Sequence, residues 1–328
     1  MTGTKQIHAA DPTSALFDPE FAEAVKVGLW NSKNKSLPCK FFYDREGSDI
    51  FEEICQLPEY YPTRTELNII RSQSDQIAGL CRSNVAVVEL GSGRSTKTRL
   101  ILNSLRAACS NVTYFPIDIS STTLQSTVSA LQLEYPTFVF APINDEYDIG
   151  LRQIDCTAFD TFLVLWLGTS IGNVEKLEAE SILRNIHEIF KAKALIVLGV
   201  DLKKDRAVLE QAYNDLAGVT ARFNLNILAR INRELGGHFD LTSFEHRAIY
   251  NEKAGRIEMR LVSSIAQTVP IDELNISIDF DPGETIHTEN SYKFTQDEIA
   301  QLALRSGLTL LRHWCDDNRF FSVNVLRP

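Results

Sequence analysis

Residues 85–99, reading VAVVELGSGRSTKTR, constrain the fold more than any other stretch of the chain. A β-branched and apolar run from Val85 to Val88 ends in Glu89-Leu90 and is followed by Gly91-Ser92-Gly93. A polar segment with Lys97 and Arg99 comes next, and Leu100, Ile101, Leu105 and Ala108 then recur at helical spacing. Strand, glycine turn and helix in that order make the opening unit of a doubly wound α/β domain. The glycines permit a tight turn and let a ligand approach the backbone closely. The helix that follows aims unpaired N–H groups at whatever sits above the turn. The same residues also suit a plain strand-to-helix turn that binds nothing.

Two features favour a ligand. Glu89 stands just before the first glycine, where methyl-donor sites often carry an acid and dinucleotide sites need none. A second predicted strand, 112–117, ends in Asp118, an acid placed to take two ribose hydroxyls. The dinucleotide pattern G-x-G-x-x-G is incomplete, because Thr96 stands three places after Gly93. S-adenosylmethionine has no pyrophosphate needing that third glycine, so the turn favours it over a nicotinamide cofactor.

The rest of the chain agrees with an α/β protein. Of its 328 residues 44% are apolar, ample for one large domain or two modest ones. A net charge of −10, with no basic run longer than Lys203-Lys204, argues against a nucleic-acid surface. The six cysteines are scattered without a C-x-x-C, and the six histidines lack metal-ligand spacing. Free thiols in a reducing cytoplasm and no metal site are therefore expected. The first thirty residues carry no signal-peptide pattern, and no run of about 18 apolar residues spans a membrane.

The chain reads as a flexible segment 1–12, then helices over 18–29, 49–56 (capped by Ser48) and 64–79. A helix over 124–133, a strand over 137–141 and the acids Asp145-Glu146 come after Asp118. Two nearly all-apolar strands, 161–167 and 194–200, read as buried on both faces. Residues 209–228 read as one helical stretch, and 247–250, 256–264 and 276–280 alternate like antiparallel strands. A helix capped by Thr295 and strands over 309–314 and 320–326 close the chain. Five parallel strands with a closing pair match the seven-stranded class I methyltransferase sheet, a Rossmann-like fold, and not the six-stranded dehydrogenase order. Residues 64–202 and 291–328 are expected to form the donor-binding domain. Residues 13–63 and 203–290 are expected to form a second, α+β substrate-binding or lid domain.

Several stretches outside the glycine turn carry a more specific likeness. They are 40–44 with Gly47-Ser48, LPEYYPTRTE at 57–66, ELGSGRSTKTR at 89–99, FPIDIS at 115–120 and LGTSIGN at 167–173. FNLNIL and INREL within 223–235, RIEMRL at 256–261 and TENSYKF at 288–294 continue it. From about Leu16 to its end the chain resembles the histidine Nα-methyltransferases of ergothioneine biosynthesis. The resemblance implies an S-adenosylmethionine-dependent enzyme that places three methyl groups on the α-amine of L-histidine. A cytoplasmic monomer with no nucleic-acid or membrane partner is expected.

On matching positions the resemblance assigns Tyr60, Gly91, Gly93, Lys97, Asp118 and Asp145 to the methyl donor, and Glu146, next to Asp145, is expected at the same site. It assigns Asn173 and Tyr213 to the substrate α-carboxylate and Tyr43 to the amine, where Tyr43 also serves as a proton path. Glu289 and Ser291 would bond the imidazole, with Met259 lining the ring pocket. An amide and a phenol supply a donor pair for a carboxylate without a buried cation, and a carboxylate facing imidazole fixes its tautomer. The chain departs from the family at Glu146, where an aromatic is common and Tyr147 comes one place later. It departs again at Asn290, where an apolar residue is common. Competing readings are a relative acting on tryptophan or tyrosine, a nicotinamide-dependent oxidoreductase, and a non-catalytic donor-binding protein.

Overall fold

A computed structural model describes residues 18–30, 33–91, 93 and 95–328, apart from the side chains of residues 122 and 123. The expected flexible segment 1–12 lies outside the described residues. In chain order the helices and strands begin α1 (Pro19–Leu29), α2 (Arg45–Gln56), α3 (Tyr61–Ala78), β1 (Asn84–Leu90), α4 (Thr96–Ala108) and β2 (Asn111–Ile117). They continue with α5 (Ser121–Glu134), β3 (Val139–Phe140), α6 (Tyr147–Arg152), β4 (Thr161–Trp166), α7 (Lys176–Phe190) and β5 (Ala194–Asp201). Next are α8 (Arg206–Gln211), α9 (Val219–Leu235), β6 (Phe244–Asn251), β7 (Arg256–Ser263), β8 (Gln267–Ile271) and β9 (Ile276–Phe280). Last come β10 (Thr285–Tyr292), α10 (Gln296–Arg305), β11 (Thr309–Cys315) and β12 (Phe321–Arg327).

Strands β4 and β5 are buried at every position, which is why they read as unbroken apolar runs. They sit inside a seven-stranded sheet of order β11-β12-β5-β4-β1-β2-β3. β1 runs parallel to β2 and β4, and β4 parallel to β5. β12 is antiparallel to both β5 and β11. This is the methyltransferase order expected from the closing strand pair. One face packs Val88, Leu90, Trp166, Leu183 and Leu302, and the other packs Ile70, Val87, Leu102, Leu163 and Val323. The parallel strands therefore deliver Leu90, Ile117, Trp166 and Asp201 to one edge of the sheet, where open α/β sheets bind ligands.

The chain divides into two compact units. The larger comprises residues 43–220, 248–259 and 289–328, and the smaller the described residues up to Phe42 with 221–247 and 260–288. These boundaries differ from the expected ones: 43–63, 203–220, 248–259 and 289–290 group with the α/β sheet. Buried side chains explain part of this, since the Tyr61 hydroxyl donates to Asp201 at the end of β5, at 2.8 Å. In the smaller unit, Asp18 caps α1 by accepting from the Glu20 N–H, and Phe21, Val25 and Leu29 are buried as their spacing predicts. Strands β8 and β9 form an antiparallel pair, and Phe239, Phe244 and Phe280 cluster edge to face. Strands β10, β7 and β6 make a three-stranded sheet in that order.

Two local expectations are corrected. Residues 209–228 are two helices, because both carboxylate oxygens of Asp215 accept N–H bonds, from Val219 and Thr220 at 2.8 Å, and restart the chain as α9. Helix α2 begins at Arg45, with Asp44 rather than Ser48 as its cap, accepting from the Gly47 N–H at 2.7 Å. No helix among the described residues is long and apolar enough to cross a membrane.

Candidate active site

The glycine turn follows β1 as the sequence predicts, with Gly91 at φ +73°. A β-carbon on Gly91 would lie 2.8 Å from the Tyr147 hydroxyl, so only glycine leaves this surface open. The Gly93 N–H points to the Asp118 carboxylate at 3.4 Å, and the other Asp118 oxygen accepts from the Ser120 N–H at 3.0 Å. Asp118 thus stands at the tip of β2 beside the turn. Asp145 accepts from the Glu146 N–H at 2.9 Å and from the Gln153 amide at 3.0 Å, while Glu146 is exposed as the cap of α6. Tyr147 packs edge-on against Trp166, with ring centroids 6.4 Å apart. Gly91 and Gly93 in the turn, and the acids Asp118 and Asp145 beyond β2 and β3, fit an adenosyl group better than a bare turn.

Lys97, in the first turn of α4, is paired with the fully buried Glu66 of α3. Both oxygens of Glu66 also accept from the Gly168 N–H, at 3.0 Å. Lys97 is therefore fixed by an internal acid that ties α3, α4 and the loop after β4 together. Beneath the turn, Glu89 accepts from the hydroxyls of Thr98, Tyr114 and Ser95. Burial nevertheless pushes its carboxyl up to about 7, against the pull of these bonds.

A second set of side chains gathers on aromatic packing. Tyr43 meets the Phe51 ring edge-on at 5.5 Å, Phe51 meets Tyr60 at 6.2 Å, and Tyr60 meets Tyr213 at 6.1 Å. Burial, then the neighbouring Tyr213 phenol, holds the Tyr60 phenol well above its ordinary range. Of the predicted substrate residues, Tyr213 and Ser291 come together, their hydroxyl oxygens 2.8 Å apart. Asn173 ends a short 3-10 turn after β4. A β-carbon on the neighbouring Gly172 would lie 2.9 Å from the Tyr292 carbonyl, so that turn lies against the end of β10 beside Ser291. Met259 is buried on β7, the strand next to β10.

Glu289 sits two places before Ser291 on β10 and is 8% exposed. Its carboxylate makes no hydrogen bond to any described residue. Burial pushes it up to about 7, opposed only by the charge of Lys293. A buried acid without a donor is costly unless a ligand completes it.

The expectation that the site manages without a buried cation is corrected. Lys293 is wholly buried and donates to Tyr213 and to Ser291, each at 2.9 Å, and pairs with Asp201 at 2.8 Å. Asp201 also accepts from Lys204 and Tyr61. Burial works against an ionised Asp201, but Lys293 and Lys204 outweigh it and hold the carboxyl below its usual range. Burial in turn lowers Lys204 to about 8. The sequence carries a signal for Lys293: Glu289, Ser291 and Lys293 recur with period two, so one face of β10 and its continuation is polar. For Glu66 there is none beyond an acid within a helix.

The sheet order, the open glycine turn and the acid at the tip of β2 define a class I S-adenosylmethionine-dependent methyltransferase. Residues 21–328 match the family model described as "Histidine-specific methyltransferase, SAM-dependent", and the chain belongs to that family. It is 39% identical over 291 residues to a histidine N-alpha-methyltransferase of Mycobacterium tuberculosis, covering 89% of this chain and 90% of that protein. An ergothioneine biosynthesis protein 1 of Neurospora crassa is 28% identical over 87% of this chain and 32% of its own length. A 4-dimethylallyltryptophan N-methyltransferase of Epichloe festucae is 27% identical over 92% of this chain and 93% of its own.

Proposed function

We propose that the enzyme transfers three methyl groups in succession to the α-amine of L-histidine, giving the trimethylated betaine that opens ergothioneine biosynthesis. The observation that carries this reading is Glu289, a buried carboxylate with no hydrogen-bond donor among the described residues, beside a cation-backed hydroxyl pair. The imidazole would meet Glu289 and Ser291, and the α-carboxylate would meet Tyr213 and Asn173, so both ends of histidine answer groups already in place. A relative named for a tryptophan derivative makes an indole amino acid the rival. Its ring N–H suits Glu289 as well, but an indole has no second ring nitrogen for a polar neighbour.

S-adenosylmethionine supplies a methyl group on a positively charged sulfur, ready for in-line displacement without protonation of the leaving group. Gly91, Gly93, Asp118 and Asp145 would hold its adenosyl part, with Tyr60 and Lys97 toward the methionine end and Glu146 at the rim. The amino-acid amine is mostly protonated at neutral pH and must lose a proton before it reacts. Tyr43 would sit beside that amine and pass the proton outward. The final quaternary nitrogen would then rest against the Tyr43 ring. Asn173 shares the carboxylate with Tyr213, and Met259 walls the ring pocket. Positioning of two bound reactants supplies most of the acceleration, so no strong base is required. The protein is proposed to work as a monomer in the cytoplasm.

The test is mass spectrometry of products after the purified protein is mixed with S-adenosylmethionine and the twenty amino acids. Gain of three methyl groups on histidine alone is the expected result. Methylation of tryptophan instead would move the assignment to the rival substrate and remove the role given to Ser291, and methylation of tyrosine would remove those of both Glu289 and Ser291.

A further inference from the structure

We propose that Cys315, His313 and Asn324 form a modification site, in which His313 is the base for a nucleophilic Cys315 thiol that exchanges with small disulfides. β11 is an edge strand of the seven-stranded sheet, and β12 is its neighbour. Between Leu310 and Arg312 the pairing of these strands shifts register, so the alternation of β11 restarts there. Leu310 and Cys315 pack on one face of the sheet, and Leu311 and Trp314 on the other. His313 stands two places before Cys315 and shares its face. Across the ladder His313 is opposite Asn324, and Cys315 is opposite Ser322. The His313 Nε2 lies 3.0 Å from the Cys315 sulfur, and its Nδ1 lies 2.6 Å from the Asn324 Oδ1.

Hydrogen bonding sets which ring nitrogen carries the hydrogen. Asn324 is wholly buried, and its amide nitrogen donates to the Leu198 carbonyl at 3.3 Å and to the Ser322 hydroxyl at 2.9 Å. A carbonyl oxygen can only accept, so the amide nitrogen faces Leu198 and the amide oxygen faces His313. That oxygen is also an acceptor, so the hydrogen of the neutral ring sits on Nδ1. Nε2 is then a lone pair aimed at the thiol, and the Cys315 S–H donates to it. A thiol, the free nitrogen of an imidazole and an amide oxygen behind the other nitrogen stand in the order nucleophile, base and orienter.

The base is needed because the thiol does not ionise readily by itself. Burial, the largest influence, holds it above its ordinary range, while the Arg319 cation pulls it down and the Asp316 carboxylate pushes it up. Asp316 is itself engaged, accepting from the N–H groups of Asn318, Phe320 and Phe321. Cys315 is partly exposed, so a small disulfide can reach it. As the Cys315 sulfur attacks one sulfur of that disulfide, its proton passes to His313 Nε2. A new S–S bond joins Cys315 to one half of the reagent, and the old S–S bond breaks. The departing thiolate takes the proton back from the imidazolium. The products are a mixed disulfide on Cys315 and one free thiol, with His313 neutral again.

The experiment treats the whole protein, near neutral pH, with a limiting amount of the neutral disulfide of mercaptoethanol. Peptide mass spectrometry then reads which cysteines carry the adduct. Cys156 is exposed and serves as the internal reference. Burial alone makes Cys315 the slower of the two, whereas base assistance makes it the faster, by about tenfold or more. Cys315 modified no faster than Cys156 overturns the proposal. In His313→Gln the Cys315 rate is expected to fall about tenfold or more while Cys156 changes less than about twofold. A ring that merely packs predicts the opposite sign, because its loss uncovers the sulfur, so a rate unchanged or raised overturns the proposal. Nitrogen NMR of protein labelled at histidine, with the His313 signals identified by their loss in His313→Gln, is expected to show the hydrogen on Nδ1. A hydrogen on Nε2 overturns the proposal. In Asn324→Leu the ring is free to carry its hydrogen on Nε2, and Cys315 is expected to slow as in His313→Gln; full reactivity there also overturns it. If His313→Gln does not fold, His313→Asn carries the same arms, and the comparison of Cys315 with Cys156 in the unaltered protein decides by itself.

Discussion

Glu89 and Glu289 are both buried, and burial pushes both carboxyls up to about 7, yet their hydrogen-bonding surroundings differ. Glu89 lies beneath the glycine turn and receives hydroxyl hydrogens from Thr98, Tyr114 and Ser95. Its three donors come from α4, from β2 and from Ser95 just before α4, so it fastens the strand, the turn and the helix that shape the donor site. Glu289 has no such donor among the described residues, and only the charge of Lys293 works against its burial. A raised carboxyl is thus no mark of a binding site by itself. Hydrogen bonding separates the two: Glu89 is satisfied within the protein, and Glu289 is the acid proposed to meet a ligand.

Replacing either acid by alanine tests this contrast. Glu289→Ala is expected to lower kcat/KM for histidine by about 2 to 4 kcal/mol in transition-state binding, with thermal stability little changed. Steady-state kinetics beside a melting curve measures both, and a loss below about tenfold removes the ring-reading role. Glu89→Ala is expected to act on the other axis. It leaves the buried Tyr114 and Thr98 hydroxyls without their acceptor and costs about 2 kcal/mol of folding stability in a denaturant titration. Histidine KM should stay within about twofold. A Glu89→Ala protein as stable as wild type, with selectively weakened histidine binding, would reverse the two assignments. Asp118→Ala should have a smaller effect than either. It weakens S-adenosylmethionine binding about tenfold without changing which amino acid is methylated, because it stands at the tip of β2 beside Gly93. Calorimetric titration and product analysis read the two halves of that statement.

The contrast also explains what was legible in the sequence. The glycine turn, Asp118 and the closing strand pair were visible because each is a local pattern: apolar runs, a pair of glycines, an acid at a strand end. The break between α8 and α9 was not, because Leu209, Phe223, Ile227 and Leu228 keep an apolar rhythm across it. What interrupts the helix is the Asp215 side chain bonding N–H groups four and five places on, a choice that periodicity does not record. Tyr213, Glu289 and Ser291 were identified through the family resemblance. Lys293 lies two places beyond Ser291, and its residue type gives no sign of its burial, because a lysine after a strand normally faces solvent. Its partners, Asp201 at the end of β5 and Tyr213 after α8, come from segments far apart in the chain, and only the fold brings them to one point. Glu66 and Lys97 repeat the lesson in the donor half: the lysine was assigned to a ligand, and the structure first gives it an internal acid.

The pH dependence of stability offers the finest separation of the two acids. A carboxyl raised in the folded state holds its proton there after the unfolded chain has lost its own. Its contribution is fully present below the ordinary carboxyl range and is lost as pH rises through about 7. The unliganded protein should therefore melt a few degrees lower at pH 8 than at pH 5, with Glu89 and Glu289 each contributing to the slope. Glu89→Gln and Glu289→Gln should each remove a share of it. Added histidine distinguishes the shares. An imidazole N–H on Glu289 favours its charged form, lowers its pKa and removes its share of the slope, while the share from Glu89 persists. Differential scanning calorimetry of wild type and both glutamine variants, with and without saturating histidine, reads all of this. If histidine flattens the slope in Glu89→Gln but not in Glu289→Gln, the ligand completes Glu289. A slope that histidine leaves untouched in both variants would mean that Glu289, like Glu89, is an acid the protein keeps for itself.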